Sequence, residues 1–163
     1  MAPSIIKIEN PDHLCLFVDI IRNSFNTVAV QYGLTQENSP TNPAFTTIEN
    51  LQSIASKADC FGLYIKDIPC GFFALEFNPD CNVFYIERIC VLPEFRNNGF
   101  GELMLKFAEN YCRNKNAEKI SIGIMNQNNI LKKWYQQNGF IEIDVRQYPH
   151  LTFDVCFLEN RLK

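Results

Sequence analysis

The run Glu87-Arg88-Ile89-Cys90-Val91-Leu92-Pro93-Glu94-Phe95-Arg96-Asn97-Asn98-Gly99-Phe100-Gly101 constrains this chain more than any other. It predicts a strand, a turn at Pro93, a glycine-bearing loop and then the first turn of a helix. Such a junction leaves backbone N–H groups at the helix start without intrahelical partners, at the positive end of the macrodipole. A diphosphate fits there. The two glycines let the main chain approach an anion with no Cβ in the way, and Arg96 can add a formal charge. There is no Gly-Lys-Ser/Thr sequence of a nucleotide-hydrolysing P-loop. A dinucleotide fingerprint would need a third glycine and a place in the first βαβ unit.

The rest of the chain reads as alternating short elements. A strand is predicted over 4–8, followed by a helix with Asn10 as cap and Pro11 in its first turn. Leu14, Phe17, Val18, Ile21 and Phe25 recur at helical spacing. The prolines and small polar residues of 35–43 mark a loop, and Thr46-x-x-Glu49 has the pattern of a capping box opening a second helix. Strands are predicted over 60–68 and 71–77, joined near Asp67-Ile68-Pro69, and again over 83–92. In strict alternation Val83, Tyr85, Glu87, Ile89 and Val91 share one face of that last strand, and Phe84, Ile86, Arg88, Cys90 and Leu92 share the other. The helix over 99–115 carries Phe100, Leu103, Met104, Phe107 and Tyr111 on one stripe. A strand over 120–124, a helix over 129–138 capped by Gly139, and a final hairpin over 140–145 and 152–158 complete the order βααβββαβαββ.

No internal repeat or linker divides the 163 residues, so residues 1–163 read as one domain of α/β (α+β) class. With 47% hydrophobic residues and 14 phenylalanines the chain is expected to bury a substantial core. The seven cysteines form no Cys-x-x-Cys pair, and only His13 and His150 could join them, so no metal site is expected. The absence of a long apolar run or a signal-peptide pattern points to no membrane partner and a cytoplasmic location. Net charge is −3 with no basic run, so nucleic acid is not an expected partner, and the mild acidity suits a cationic acceptor.

The loop Arg-x-x-Gly-x-Gly, followed by Asn128-x6-Tyr135-x3-Gly139-Phe140, resembles the GNAT superfamily of acyl-CoA-dependent N-acyltransferases. The resemblance is close from 87 to 140 and loose before Cys60. It implies a mixed, mostly antiparallel sheet of about seven strands flanked by four helices, with the strands on either side of the loop and its helix splayed apart. It also implies acetyl-CoA as co-substrate. Its pantetheine arm would lie against Ile89, Cys90 and Val91, and its diphosphate on Arg96, Asn97, Asn98, Gly99, Phe100 and Gly101. Asn128 and Tyr135 would face the same gap.

Acyl transfer to an amine needs a proton acceptor, because an alkylammonium is almost wholly protonated at neutral pH. The resemblance makes Glu87 the first choice, with Glu76 in reserve. An N–H at or beside Val91 would serve the developing oxyanion, and Tyr135 would return a proton to the thiolate. Cys90 is not expected to act as nucleophile, since a buried thiol is usually a small apolar filler. The acceptor would be set by 24–45, by 76–82 and by the 148–151 turn, with Glu76, Tyr85 and Tyr148 as substrate-facing candidates. The implied acceptor is a primary amine, a small molecule ahead of a protein, and the chain is expected as monomer or homodimer. A non-catalytic acyl-CoA sensor and a partner-binding domain with a vestigial site are the readings from other classes.

Overall fold

A computed structural model describes residues 2–162. Seven strands form one sheet: β1 (Pro3–Lys7), β2 (Ala58–Ile65), β3 (Ile68–Asn78), β4 (Val83–Val91), β5 (Lys119–Met125), β6 (Ile141–Arg146) and β7 (Val155–Arg161). Their spatial order is β1-β2-β3-β4-β5-β7-β6. All neighbours are antiparallel except β4 and β5, which run parallel and pair only over Val83–Tyr85 and Lys119–Ser121. Among the described residues the four α-helices are α1 (Cys15–Gln31), α2 (Ile48–Ala55), α3 (Phe100–Asn114) and α4 (Asn129–Gln137). This is the expected mixed sheet with its expected helices. No helix among the described residues is long and apolar enough to cross a membrane.

The sheet is packed on both faces. Phe61, Leu63, Phe73, Leu75, Phe84 and Ile86 meet Met104, Leu105 and Ala108 of α3 and Tyr135 of α4. Cys60, Phe72 and Ala74 meet Leu14, Phe17, Ile20 and Ile21 at the start of the chain and Leu51 and Ile54 of α2. A third cluster joins Ala29, Leu34 and Ala44 to Met125 and Phe153. It seats the segment after α1 over the ends of β5 and the loop before β7. Ser39 is fully buried there, its hydroxyl 3.5 Å from that of Thr152. The polar 33–40 segment is therefore folded onto the body of the protein.

Several boundaries differ from the sequence expectation for identifiable reasons. The β2–β3 turn is made by Lys66, at φ 55°, and Asp67, so Ile68 and Pro69 already belong to β3. The capping box of α2 is built by Thr47 and Asn50, not by Thr46 and Glu49. Thr46 is buried instead, with no hydrogen-bond partner for its hydroxyl among the described residues. Along α3 the inward row is Met104, Leu105, Ala108 and Cys112, while Leu103 is exposed. Phe100, Phe107 and Tyr111 pack along its edge. Asn10 caps a short 3-10 turn (Pro11–Leu14) that runs into α1.

Candidate active site

Beyond Tyr85 and Ser121 the two parallel strands part, and a cleft of about 600 Å³ opens between β4, α3 and α4. Ile89, Cys90, Val91, Arg96, Asn97, Gly99, Phe100, Gly101, Asn128 and Tyr135 all line it. Glu87, Glu76, Tyr85 and Tyr148 do not line this recess; the residues expected to hold the co-substrate all do, with one exception. Asn98 turns its amide back onto the carbonyl oxygens of Phe95 and Arg96, at 3.1 Å each, and braces the loop from within.

The edge of β4 that faces the cleft is set by a bulge. Ala74 lies opposite Glu87 but Phe72 lies opposite Cys90, so β4 carries one residue more than β3 between these pairs. Arg88 sits in the left-handed region at φ 52°. Paired residues share a sheet face, so Glu87 and Cys90 both lie on the α1–α2 side, while Ile89 and Val91 pack with the α3–α4 core. This corrects the strict alternation, which put Glu87 with Ile89 and Val91 and opposed it to Cys90. Leu92 donates to Cys70 O at 2.8 Å, so by antiparallel alternation Val91 turns its N–H the other way, toward β5. Cys90 is no better placed for attack by sharing a face with Glu87, because burial pushes its thiol up to about 12.

The loop after β4 is fixed by Arg96. Its guanidinium donates to Val91 O at 3.0 Å, to Thr27 Oγ1 at 3.1 Å and to Ser24 O at 2.7 Å. The positive charge expected beside a diphosphate therefore also ties the loop to β4 and α1. Gly99, at φ 77°, is the N-cap of α3 and supplies no side-chain acceptor, so the first N–H groups of that helix remain open to the cleft. A Cβ at Gly101 would stand 2.9 Å from Trp134 Cζ2, which shows how closely α3 and α4 approach at this end.

On the opposite wall Asn128 caps α4, its Oδ1 accepting from Leu131 N at 3.2 Å, which leaves its amide nitrogen available. Tyr135, one helical face further on, is buried between Trp134 and Phe140, each ring meeting it edge to face. Burial alone pushes its phenol well above the usual range, so the hydroxyl stays protonated and able to donate.

Glu87 is half-buried on the α1–α2 side. Desolvation raises its carboxyl, Arg88 lowers it, Glu76 raises it and Lys57 lowers it, leaving it above the ordinary value. Glu76 lies nearby on β3, paired in register with Tyr85 and 3.9 Å from Lys57 Nζ. Burial, then the Cys81 thiol, pushes the Tyr85 phenol up. Tyr148 is elsewhere: its ring lies 5.8 Å from that of His150 in the last loop, and no contact among the described residues links it to Glu87.

Comparison with known proteins gives the arrangement its relatives. The model of the acetyltransferase (GNAT) family matches residues 26–140, which include β4, its loop, α3, β5 and α4. The chain belongs to the GNAT family. It is thereby an acyltransferase, and its fold agrees. The ribosomal-protein-S18-alanine N-acetyltransferase of Escherichia coli superposes with a TM-score of 0.78 at 14% identity, covering 99% of this chain and 95% of that one. A GNAT acetyltransferase of Elizabethkingia anophelis, with acetyl-CoA bound, superposes with a TM-score of 0.67 at 18% identity over 98% of this chain and 97% of that one. The tRNA(Met) cytidine acetyltransferase TmcA 2 of Saccharolobus solfataricus is 25% identical over 137 residues, 83% of this chain but only 18% of that protein's length.

In this GNAT chain some residues of the 24–45 segment, expected to set the acceptor, serve the cleft loop instead. Ser24 and Thr27 of α1 anchor Arg96, and Trp134 forms part of the cleft wall. Their helical spacing is legible, but a carbonyl acceptor such as Ser24 O leaves no mark in a sequence. Strict alternation puts Arg88 on the far face of the strand, yet its Nη1 stands 3.7 Å from Glu87 Oε2.

Proposed function

We propose that this protein transfers the acetyl group of acetyl-CoA to the primary amine of a small molecule, by direct attack and without an acyl-enzyme. The observation that carries the reading is the convergence, in one cleft, of the Val91 edge of β4, the open N-terminus of α3 and the protonated Tyr135 phenol. The residues present suit acetyl-CoA. The α3 N–H groups favour its diphosphate, and the β4 edge left unpaired by β5 offers main-chain partners to its amide-bearing arm. The Elizabethkingia anophelis relative holds the same co-substrate. A small acceptor is favoured because the segment after α1 is folded against Met125, Phe153 and Thr152, closing that side.

The chemistry follows from the groups at hand. The acceptor ammonium first gives one proton to solvent. Glu87 then takes the second proton as the nitrogen lone pair forms the C–N bond, and its raised carboxyl makes it a stronger base than an exposed glutamate. The Val91 N–H faces the carbonyl oxygen as it gains charge. As the C–S bond breaks, Tyr135 protonates the departing sulfur and recovers its proton by way of Glu87 and solvent. The balance is amide, free thiol and one proton released. Thiol release from acetyl-CoA across a panel of amines tests this. Amine-dependent release, with Glu87→Gln and Tyr135→Phe each slowing kcat, is the expected result; release that ignores both substitutions would contradict it.

A further inference from the structure

Among the described residues Arg88 is a cation with no hydrogen-bond acceptor. Its side chain is only 18% exposed, and its Nε is buried with no hydrogen-bond partner. Its one acidic neighbour among the described residues is Glu87, at 3.7 Å, too far for a hydrogen bond. Other arginines are served differently. Arg96 has three oxygen acceptors, Arg113 donates to Leu162 O at 2.8 Å, and Arg146 donates to Asp144 at 2.7 Å. A guanidinium has five donors in a fixed planar fork, and holding one out of water unpaired is costly. The backbone adds to that cost, since Arg88 is the left-handed residue of the β4 bulge. Bulges of this kind re-aim a side chain, and here the side chain is aimed beside Glu87.

We propose that Arg88 binds a carboxylate of the acceptor, and that the acceptor is an α-amino carboxylate whose amine faces Glu87. This rests on the acyl-transfer reading of Glu87 given above. A carboxylate can take two parallel hydrogen bonds from the Nη end of the guanidinium, whose one acidic neighbour among the described residues lies beyond hydrogen-bond reach. The spacing narrows the class further. The two protein charges stand 3.7 Å apart, so the complementary ammonium and carboxylate must also be neighbours, as they are across a single carbon. A substrate whose charges lie several carbons apart would leave one of them unmatched. Occupation of Arg88 has a second effect. Its positive charge lowers the Glu87 carboxyl in the free protein, and a bound carboxylate offsets that pull, so the base strengthens when this substrate arrives.

The test compares an α-amino acid with its carboxamide, with the amine lacking the carboxylate, and with an isomer whose carboxylate is moved two carbons away. Thiol release gives kcat/KM for each. Calorimetry with CoA present gives binding without turnover. The wild type is expected to prefer the α-amino acid over its carboxamide by at least about tenfold in both measurements. In Arg88→Met that ratio is expected to fall toward one, with Arg88→Lys retaining part of it. Equal wild-type values for acid and carboxamide would overturn the proposal without needing a variant. So would an Arg88→Met protein that slows every acceptor alike, since that would make Arg88 only a support for Glu87. Selective binding of the α-amino acid without any thiol release would uphold the role of Arg88 and refute the transferase reading.

Discussion

Arg96 Nη2 donates to the carbonyl oxygen of Ser24 at 2.7 Å, bridging the loop after β4 to a helix turn 72 positions earlier. The other two guanidinium bonds, to Val91 O and Thr27 Oγ1, make the loop, β4 and α1 a single braced unit. A lysine would keep the charge but lose the fork. Arg96→Lys is therefore expected to cost about 1–3 kcal/mol of stability and to weaken acetyl-CoA binding. Thermal melts with and without CoA check this. A variant that melts and binds as wild type would mean that only the charge matters.

The activity of the enzyme should rise with pH through the titration of Glu87. A base works only as carboxylate, and burial with the Glu76 charge holds Glu87 above its usual 4.5, against the pull of Arg88 and Lys57. The acid limb of kcat should thus fall at a higher pH than for an exposed glutamate. Arg88→Met removes the largest lowering influence, so its acid limb should move further up. Glu87→Gln should abolish the limb and reduce kcat by about 10²–10⁴. A profile of kcat against pH for the three proteins decides the matter, and a downward move in Arg88→Met would refute the assignment.

Tyr135 is protonated over the whole working range because its phenol is driven up by burial. No alkaline limb from this group should appear near neutral pH. Tyr135→Phe should lower kcat by about 10²–10⁴ with the KM for acetyl-CoA little changed, since the ring still packs on Trp134 and Phe140. A rise in KM at constant kcat would make the hydroxyl a binding group.

Gly101 holds α3 and α4 together at the mouth of the cleft. Its Cβ in Gly101→Ala would meet Trp134 Cζ2 at 2.9 Å, so the indole must move. A cost of about 1–3 kcal/mol is expected, with weaker acetyl-CoA binding because Trp134 is part of the cleft wall. Unfolding in denaturant and a CoA titration measure the two effects separately.

Neighbouring threonines before α2 should respond in opposite ways. Thr47→Ala removes the capping hydroxyl that accepts from Asn50 N at 3.2 Å and should cost about 1 kcal/mol. Thr46→Val removes a buried hydroxyl that has no partner and should be neutral or stabilising. Melting temperatures of the two variants test the pair at once.

Those two residues also show what the sequence could carry. Thr46 and Thr47 both stand three before a side chain able to complete a capping box, and only the packing of the preceding turn chooses between them. The unit from β4 through its loop to α3 was legible because glycine, proline and apolar spacing each have strong local meaning. Asn128 and Tyr135 were legible by their spacing from Gly139. The bulge at Arg88 was not, since neither a glycine nor a proline marks it. One extra residue there changed the face of every side chain after Glu87, bringing Cys90 round to the side of Glu87 and turning Arg88 from a presumed far-face residue into its neighbour. Leu103 missed the core for a similar reason: the helical stripe is broad, and the sheet below fixed which row points in.

The brevity of the β4–β5 pairing has one more consequence. Three residues on each strand close the ladder at one end, and beyond them the edge of β4 that faces β5 pairs with no strand among the described residues, while its other edge stays paired with β3. The sheet behaves like a zipper left half open, with room for the teeth of a visiting molecule. Amides such as that of Val91 should then exchange with solvent readily in the empty protein and slowly once acetyl-CoA lies alongside, so that occupancy of the enzyme can be followed by deuterium uptake at this one edge.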